Sequence, residues 1–142
     1  MLEVIVVIEL YIDGASAGDP GRSGAGIVIK QNGHIEKYAI PLGMKNNHEA
    51  EFLALIKGLE KCLPYKHAII SARSDSAIVV QAIEKQYVGN KNFQKLLDQC
   101  IFLSNQFALF FIKWIPSNQN KIADQLAKQA IQKNKNGDGF FV

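Results

Sequence analysis

Four carboxylates in this chain stand where carboxylates can do chemistry. Asp13 ends the apolar run VIVVIELYI and leads into GASAGDPG, a stretch of small and turn-forming residues. Glu51 lies in the first turn of NNHEAEFLALIKGLEKCLPY, where the hydrophobic spacing becomes helical. Asp75 follows HAIISARS, and Asp124 sits beside Ala123 at the rim of an apolar stripe near the C-terminus. Each has an ordinary reading: Asp13 as a turn residue before Gly14, Asp75 as an N-cap before Ser76, Glu51 as a favourable charge at a helix start, Asp124 as a surface residue among lysines. If all four meet, like charges raise one another's pKa unless a cation lies between them. A donor set of oxygens alone selects a hard cation, Mg²⁺ first and Mn²⁺ second. Two such ions about 4 Å apart can activate a water and stabilise the leaving oxygen of a phosphodiester displacement.

Whether they meet depends on the elements that carry them. Residues 4–12 are rich in β-branched side chains and read as a central strand covered on both faces. Gly14, Gly18, Pro20 and Gly21 then punctuate a turn. GAGIVIK and HIEKYAIPL read as two strands joined at Asn32-Gly33, a hairpin signal. Phe52, Leu55, Ile56, Leu59 and Leu63 recur at helical spacing, with Asn47 available as N-cap and Pro64 as terminator. HAIISARSDS gives a short buried strand, and DSAIVVQAIEKQY a helix capped by Asp75 or Ser76. The linker VGNKN leads to the helical FQKLLDQCIFLSNQF, the strand ALFFIKWI closed by Pro116, and a last helix over roughly 119–133. The order βββαβααβα is that of an α/β domain with a mixed sheet, antiparallel in its hairpins and parallel across its crossovers. Asp13 and Asp75 then fall at the carboxyl ends of central strands, where open α/β sheets gather ligands. One domain over 1–142 is expected, with a tail from about residue 134 loosely docked.

Composition narrows the partners less. With 48% hydrophobic and 20% charged residues the chain reads as an ordinary globular domain, and its net charge of +3 is too small to demand a polyanion. Lys113 to Lys135 carries five lysines and one acid, so this end can face phosphates or simply be a solvated helix face. Cys62 and Cys100 have no pairing or metal spacing, and a reducing compartment with packed thiols is expected. MLEVIVVIEL lacks a basic leader region and reads as a buried strand, so a cytoplasmic protein without membrane contact is expected. Trp114, between Lys113 and Ile115, reads as a core residue. His48 reads as a helix-start residue near substrate or solvent.

The segments DGASAGDPGRSGAGIVI, NNHEAEFLALIKGL, SDS and WIPSNQNKIADQLAKQA together resemble a type 1 ribonuclease H domain over residues 10–131. The resemblance implies a ribonuclease H-like fold, with a five-stranded mixed sheet whose first three strands are antiparallel, flanked by helices. It implies hydrolysis of the RNA strand of RNA–DNA hybrids, with two Mg²⁺ ions per site or Mn²⁺ in their place, leaving 3′-hydroxyl and 5′-phosphate ends. Asp13, Glu51, Asp75 and Asp124 match the family's acidic quartet, both catalytic and metal-binding. Asp13 is then the bridge between the ions. Gly14, Ala15 and Ser16 would offer backbone to RNA 2′-hydroxyls, Asn47 would read the minor groove, and Arg22 would hold phosphate, a recognition by shape rather than sequence. A monomer is expected. Two departures stand out. The loop PSNQN lacks the histidine many members carry there, and EKQYVGNKNFQK has three lysines but no tryptophan cluster or basic protrusion. They keep two other readings in view: a weak or inactive binder of hybrid or duplex RNA, and a nuclease of the same fold acting on double-stranded RNA.

Overall fold

A computed structural model describes residues 4–135. Its strands are β1 (Val7–Ser16), β2 (Gly21–Gln31), β3 (His34–Lys45), β4 (Ile69–Ser74) and β5 (Leu109–Trp114). Its helices are α1 (Asn47–Cys62), α2 (Ala77–Lys85), α3 (Gln94–Ser104) and α4 (Lys121–Lys135). The strands form one sheet in the order β3-β2-β1-β4-β5. β1, β2 and β3 pair antiparallel, while β4 runs parallel to both β1 and β5. The expected order of elements and the expected mixed sheet are both present. The expectation of a loose tail falls largely outside the described residues, α4 itself continuing to Lys135.

Local chemistry explains the junctions. Asn32 and Gly33 both adopt positive φ (50° and 77°), the primed turn whose twist matches the strands it joins. α1 is capped by Asn46, not Asn47. The Asn46 side chain accepts from the Glu49 amide at 2.8 Å, and Glu49 accepts from the Asn46 amide at 2.9 Å. This reciprocal capping box needs the acid three residues on, a spacing that only Asn46 offers. Ser76, not Asp75, caps α2, leaving the Asp75 carboxylate free for other work.

The core lies between the sheet and α1, with α3 behind it. Ile8, Leu10 and Ile12 point into it and are buried, as are Phe52, Leu55, Ile56 and Leu59 from α1. Burial pushes the Cys62 and Cys100 thiols up to about 12, so both stay protonated in the packed interior. The opposite face is covered by α4, which packs on β2, β3 and β1. That cover is partial. Val7 remains 49% exposed and Glu9 and Tyr11 half-buried, so β1 is not enclosed on both faces along its first half. Val4 and Ile5 precede the strand and are exposed. Among the described residues no helix is long and apolar enough to cross a membrane.

β1 also runs past Asp13 to Ser16, so Gly14 lies inside a strand and not in a turn. A Cβ on Gly14 would overlap the Ala50 carbonyl of α1. Glycine there allows helix and strand to touch. Gly24 and Gly26 of β2 serve α4 in the same way: a Cβ would meet Ala130 Cβ from Gly24 and the Ala123 carbonyl from Gly26.

Candidate active site

The last paired row of β1 and β4 joins Ile12 to Ser74, and Asp13 and Asp75 each follow directly on it. The two carboxylates therefore leave the sheet at the same level. α4 crosses β2 with Ala123 over Gly26, which pairs with Asp13, and so brings Asp124 to the same place. Asp13 is the hub: its carboxyl is buried and lies within hydrogen-bonding reach of both Asp75 and Asp124. Burial, then the charges of Asp75 and Asp124, push it up to about 8. Glu51 approaches from α1, its pKa raised mainly by burial and held back by hydrogen bonds from His48 and Ser76. Its side chain is 14% exposed. The four acids converge on one sheet edge, around a carboxyl that resists ionisation on its own.

Among the described residues no three acidic, histidine or cysteine groups form a closed metal cage. The basic groups at hand among the described residues are Lys128, 3.0 Å from Asp124, and His48, whose Nδ1 is 3.0 Å from Glu51 Oε1. Their ion-pair partners are Asp124 and Glu51 rather than Asp13 or Asp75, and the donors are all oxygen. That combination fits a hard divalent cation.

The residues expected to meet substrate surround this edge unevenly. Ser16 spends its hydroxyl internally, donating to the Lys45 carbonyl at 2.7 Å, which ties the end of β1 to the end of β3. Ala15 is half-buried, while Arg22 and Asn47 are exposed on neighbouring elements. Trp114 is not a core residue. It is 52% exposed, and its indole N–H donates to the Asp75 carbonyl at 3.1 Å, because position 114 is the last of the edge strand β5, paired with Ser74.

Asn120 carries a role that its place in a polar loop did not reveal. It is only 2% exposed. Its Nδ2 donates to the Ile12 carbonyl at 2.8 Å, and its own carbonyl accepts from the Asp124 amide at 3.1 Å. One residue thus joins the one before Asp13, through its side chain, to the turn that carries Asp124, through its main chain. The Asn120→Ala change strands a buried carbonyl at a cost of about 1–3 kcal/mol, read as a lower thermal midpoint. Activity should fall by more than the loss of folded protein, because the two carboxylates lose their common tether.

A profile of the reverse transcriptase-like family matches residues 11–130. The EbsB protein of Enterococcus faecalis, which carries a provisional hydrolase name, is 43% identical over 129 residues, covering 89% of this chain and 96% of its own. The ribonuclease H of Desulforamulus reducens is 30% identical over 146 residues, covering 88% of this chain and 87% of its own. The chain belongs to the type 1 ribonuclease H family. The solved structure of LC11-RNase H1 in complex with an RNA/DNA hybrid superposes with a TM-score of 0.83 at 26% identity, over 90% of this chain and 99% of that one. The fold expected from the ribonuclease H resemblance is therefore the fold observed, and the chain is a hydrolase of that family.

Proposed function

We propose that this ribonuclease H-family chain hydrolyses the RNA strand of RNA–DNA hybrids, giving 3′-hydroxyl and 5′-phosphate ends. The observation that carries the reading is the buried Asp13 carboxyl crowded by Asp75 and Asp124 at the ends of two central strands. Such crowding is costly in a protein that has no use for it, and a divalent cation turns it into affinity. Asp13, Glu51, Asp75 and Asp124 would hold two Mg²⁺ ions, or Mn²⁺ in their place, with Asp13 shared. Bound there, the ions supply Lewis-acid polarisation of the phosphodiester and a more acidic water.

The chain's own residues supply the rest. The backbone of Gly14, Ala15 and Ser16 runs along the cluster and can meet 2′-hydroxyls, the group that separates RNA from DNA. Asn47, exposed beside the capped start of α1, faces the minor groove, and Arg22 takes phosphate. Recognition is then by shape, with no base sequence required. The working form is a monomer in the cytoplasm.

Incubation with a labelled RNA–DNA hybrid in Mg²⁺ and separately in Mn²⁺ tests the reading. Metal-dependent cleavage of the RNA strand, with product ends as above, is the expected result. Binding without cleavage in either metal would point to a hybrid-binding protein instead. Preferential cleavage of double-stranded RNA would point to the other nuclease reading.

A further inference from the structure

Two of the four carboxylates have a basic side chain on their own helix, and the two arrangements differ. Lys128 reaches Asp124 from an exposed, flexible stem, and such pairs hold little geometry. His48 is wedged. Its ring packs at right angles to Phe93, with centroids 6.0 Å apart, and Phe93 stacks on the buried Phe52 at 5.7 Å. One turn of α1 separates His48 from Glu51, the spacing that sets side chains on one face of a helix. Glu51 is largely shielded from water, so the carboxylate end of its bond to Nδ1 is protected while the imidazole edge remains open.

With Glu51 ionised, as coordination of a cation requires, its Oε1 accepts and His48 Nδ1 carries the proton. We propose that His48 is a positioning residue, donating from Nδ1 to Glu51 Oε1 so that the carboxylate is already oriented for a divalent cation. This rests on the reading of Glu51 as a cation ligand. The Phe52–Phe93 stack anchors the ring, the ring anchors the carboxylate, and the hydrophobic core thereby reaches the site's edge. Hydrogen-bond partners behind a metal ligand typically set cation affinity by fixing the ligand's orientation. No residue of the loop Pro116–Asn120 is needed for this, so it does not depend on the histidine that loop lacks.

The test compares two substitutions by direct Mn²⁺ binding, read from the free-ion paramagnetic resonance signal with no nucleic acid present. His48→Phe keeps a ring against Phe93 and removes the donor, while His48→Gln restores an amide donor. His48→Phe should weaken Mn²⁺ binding about tenfold, and His48→Gln should recover most of that loss. In hybrid cleavage, the Mg²⁺ concentration for half-maximal rate should rise by the same factor in His48→Phe, with KM for hybrid unchanged. Unaltered Mn²⁺ affinity in His48→Phe would overturn the proposal. Equal losses in both variants would also overturn it, since the ring rather than the donor would then matter. If His48→Phe melts early, His48→Leu takes its place in the comparison. Unchanged Mn²⁺ binding by Glu51→Gln would remove the ligand reading beneath the proposal. Failure of hybrid cleavage alone would reject the proposed substrate and leave the metal measurement standing.

Discussion

The Asp13→Asn variant is expected to lose hybrid cleavage and to melt at a higher temperature than the parent protein when metal is absent. Both effects have one cause. Asp13 is buried against Asp75 and Asp124, and in the metal-free fold its carboxyl is pushed up to about 8. The unfolded chain has it near 4. The folded protein therefore binds an extra proton between these values. Asp13's contribution to stability is full below about pH 4 and is lost as pH rises through about 8. Asparagine fills the same space without charge, so the variant escapes this loss. At pH 8 the variant should melt clearly above its parent, the gap shrinking towards pH 5. Millimolar Mg²⁺ should reverse the order, raising the midpoint of the parent protein and leaving the variant's almost unmoved. Melting curves at pH 5 and pH 8, with and without Mg²⁺, measure all of this. A variant no more stable than its parent at pH 8 without metal would mean the three carboxylates do not strain the fold. Retained cleavage would remove Asp13 from the chemistry.

The Gly26→Ala variant should fail in a different way, by losing stability and activity together. A methyl at this position runs into the Ala123 carbonyl and comes within 2.7 Å of the Ala127 amide, both of them backbone of α4. Backbone cannot rotate aside as a side chain can, so α4 must lift from the sheet. The expected cost is about 3 kcal/mol. Asp124 follows Ala123 directly, so lifting α4 withdraws one carboxylate from Asp13. Cleavage should fall further than the unfolded fraction accounts for, even at temperatures where the variant is fully folded. Gly89→Ala is the control. No atom lies within 4 Å of a Cβ there, and its stability should change by less than about 0.5 kcal/mol. Denaturant melts and single-turnover rates on the three proteins make the comparison. A Gly26→Ala variant that matches Gly89→Ala in both would contradict the close seating of α4.

The four acids stand out in the sequence because each sits at a recognisable junction (a strand end, a helix start, a second strand end, the rim of an apolar stripe), but their reading as one quartet comes from the family resemblance. The Asn32-Gly33 hairpin and the order of elements were equally open to reading, since turn chemistry and hydrophobic period are local. What escaped is non-local. Gly14 reads as a turn residue until α1 is laid across it, and only then does the contact with Ala50 give the reason for glycine. Trp114 reads as core until its strand is seen to be the outermost of the sheet. Asn120 looks like one polar loop residue among several, yet it reaches Ile12, 108 positions earlier. The exchange of Asn47 for Asn46 as helix cap is the exception, a local signal: Glu49 stands three residues after Asn46, and the capping box was there to be counted.

The seating of α4 has a practical consequence. This helix supplies one carboxylate and covers one side of the sheet, and among the described residues the short segment between Trp114 and Lys121 alone joins it to the other elements. A cut there would leave two inert pieces, one with three acids and an open groove over Gly24 and Gly26, the other a peptide with the fourth acid. Reunited, they would form a split reporter whose signal is the severing of a strand.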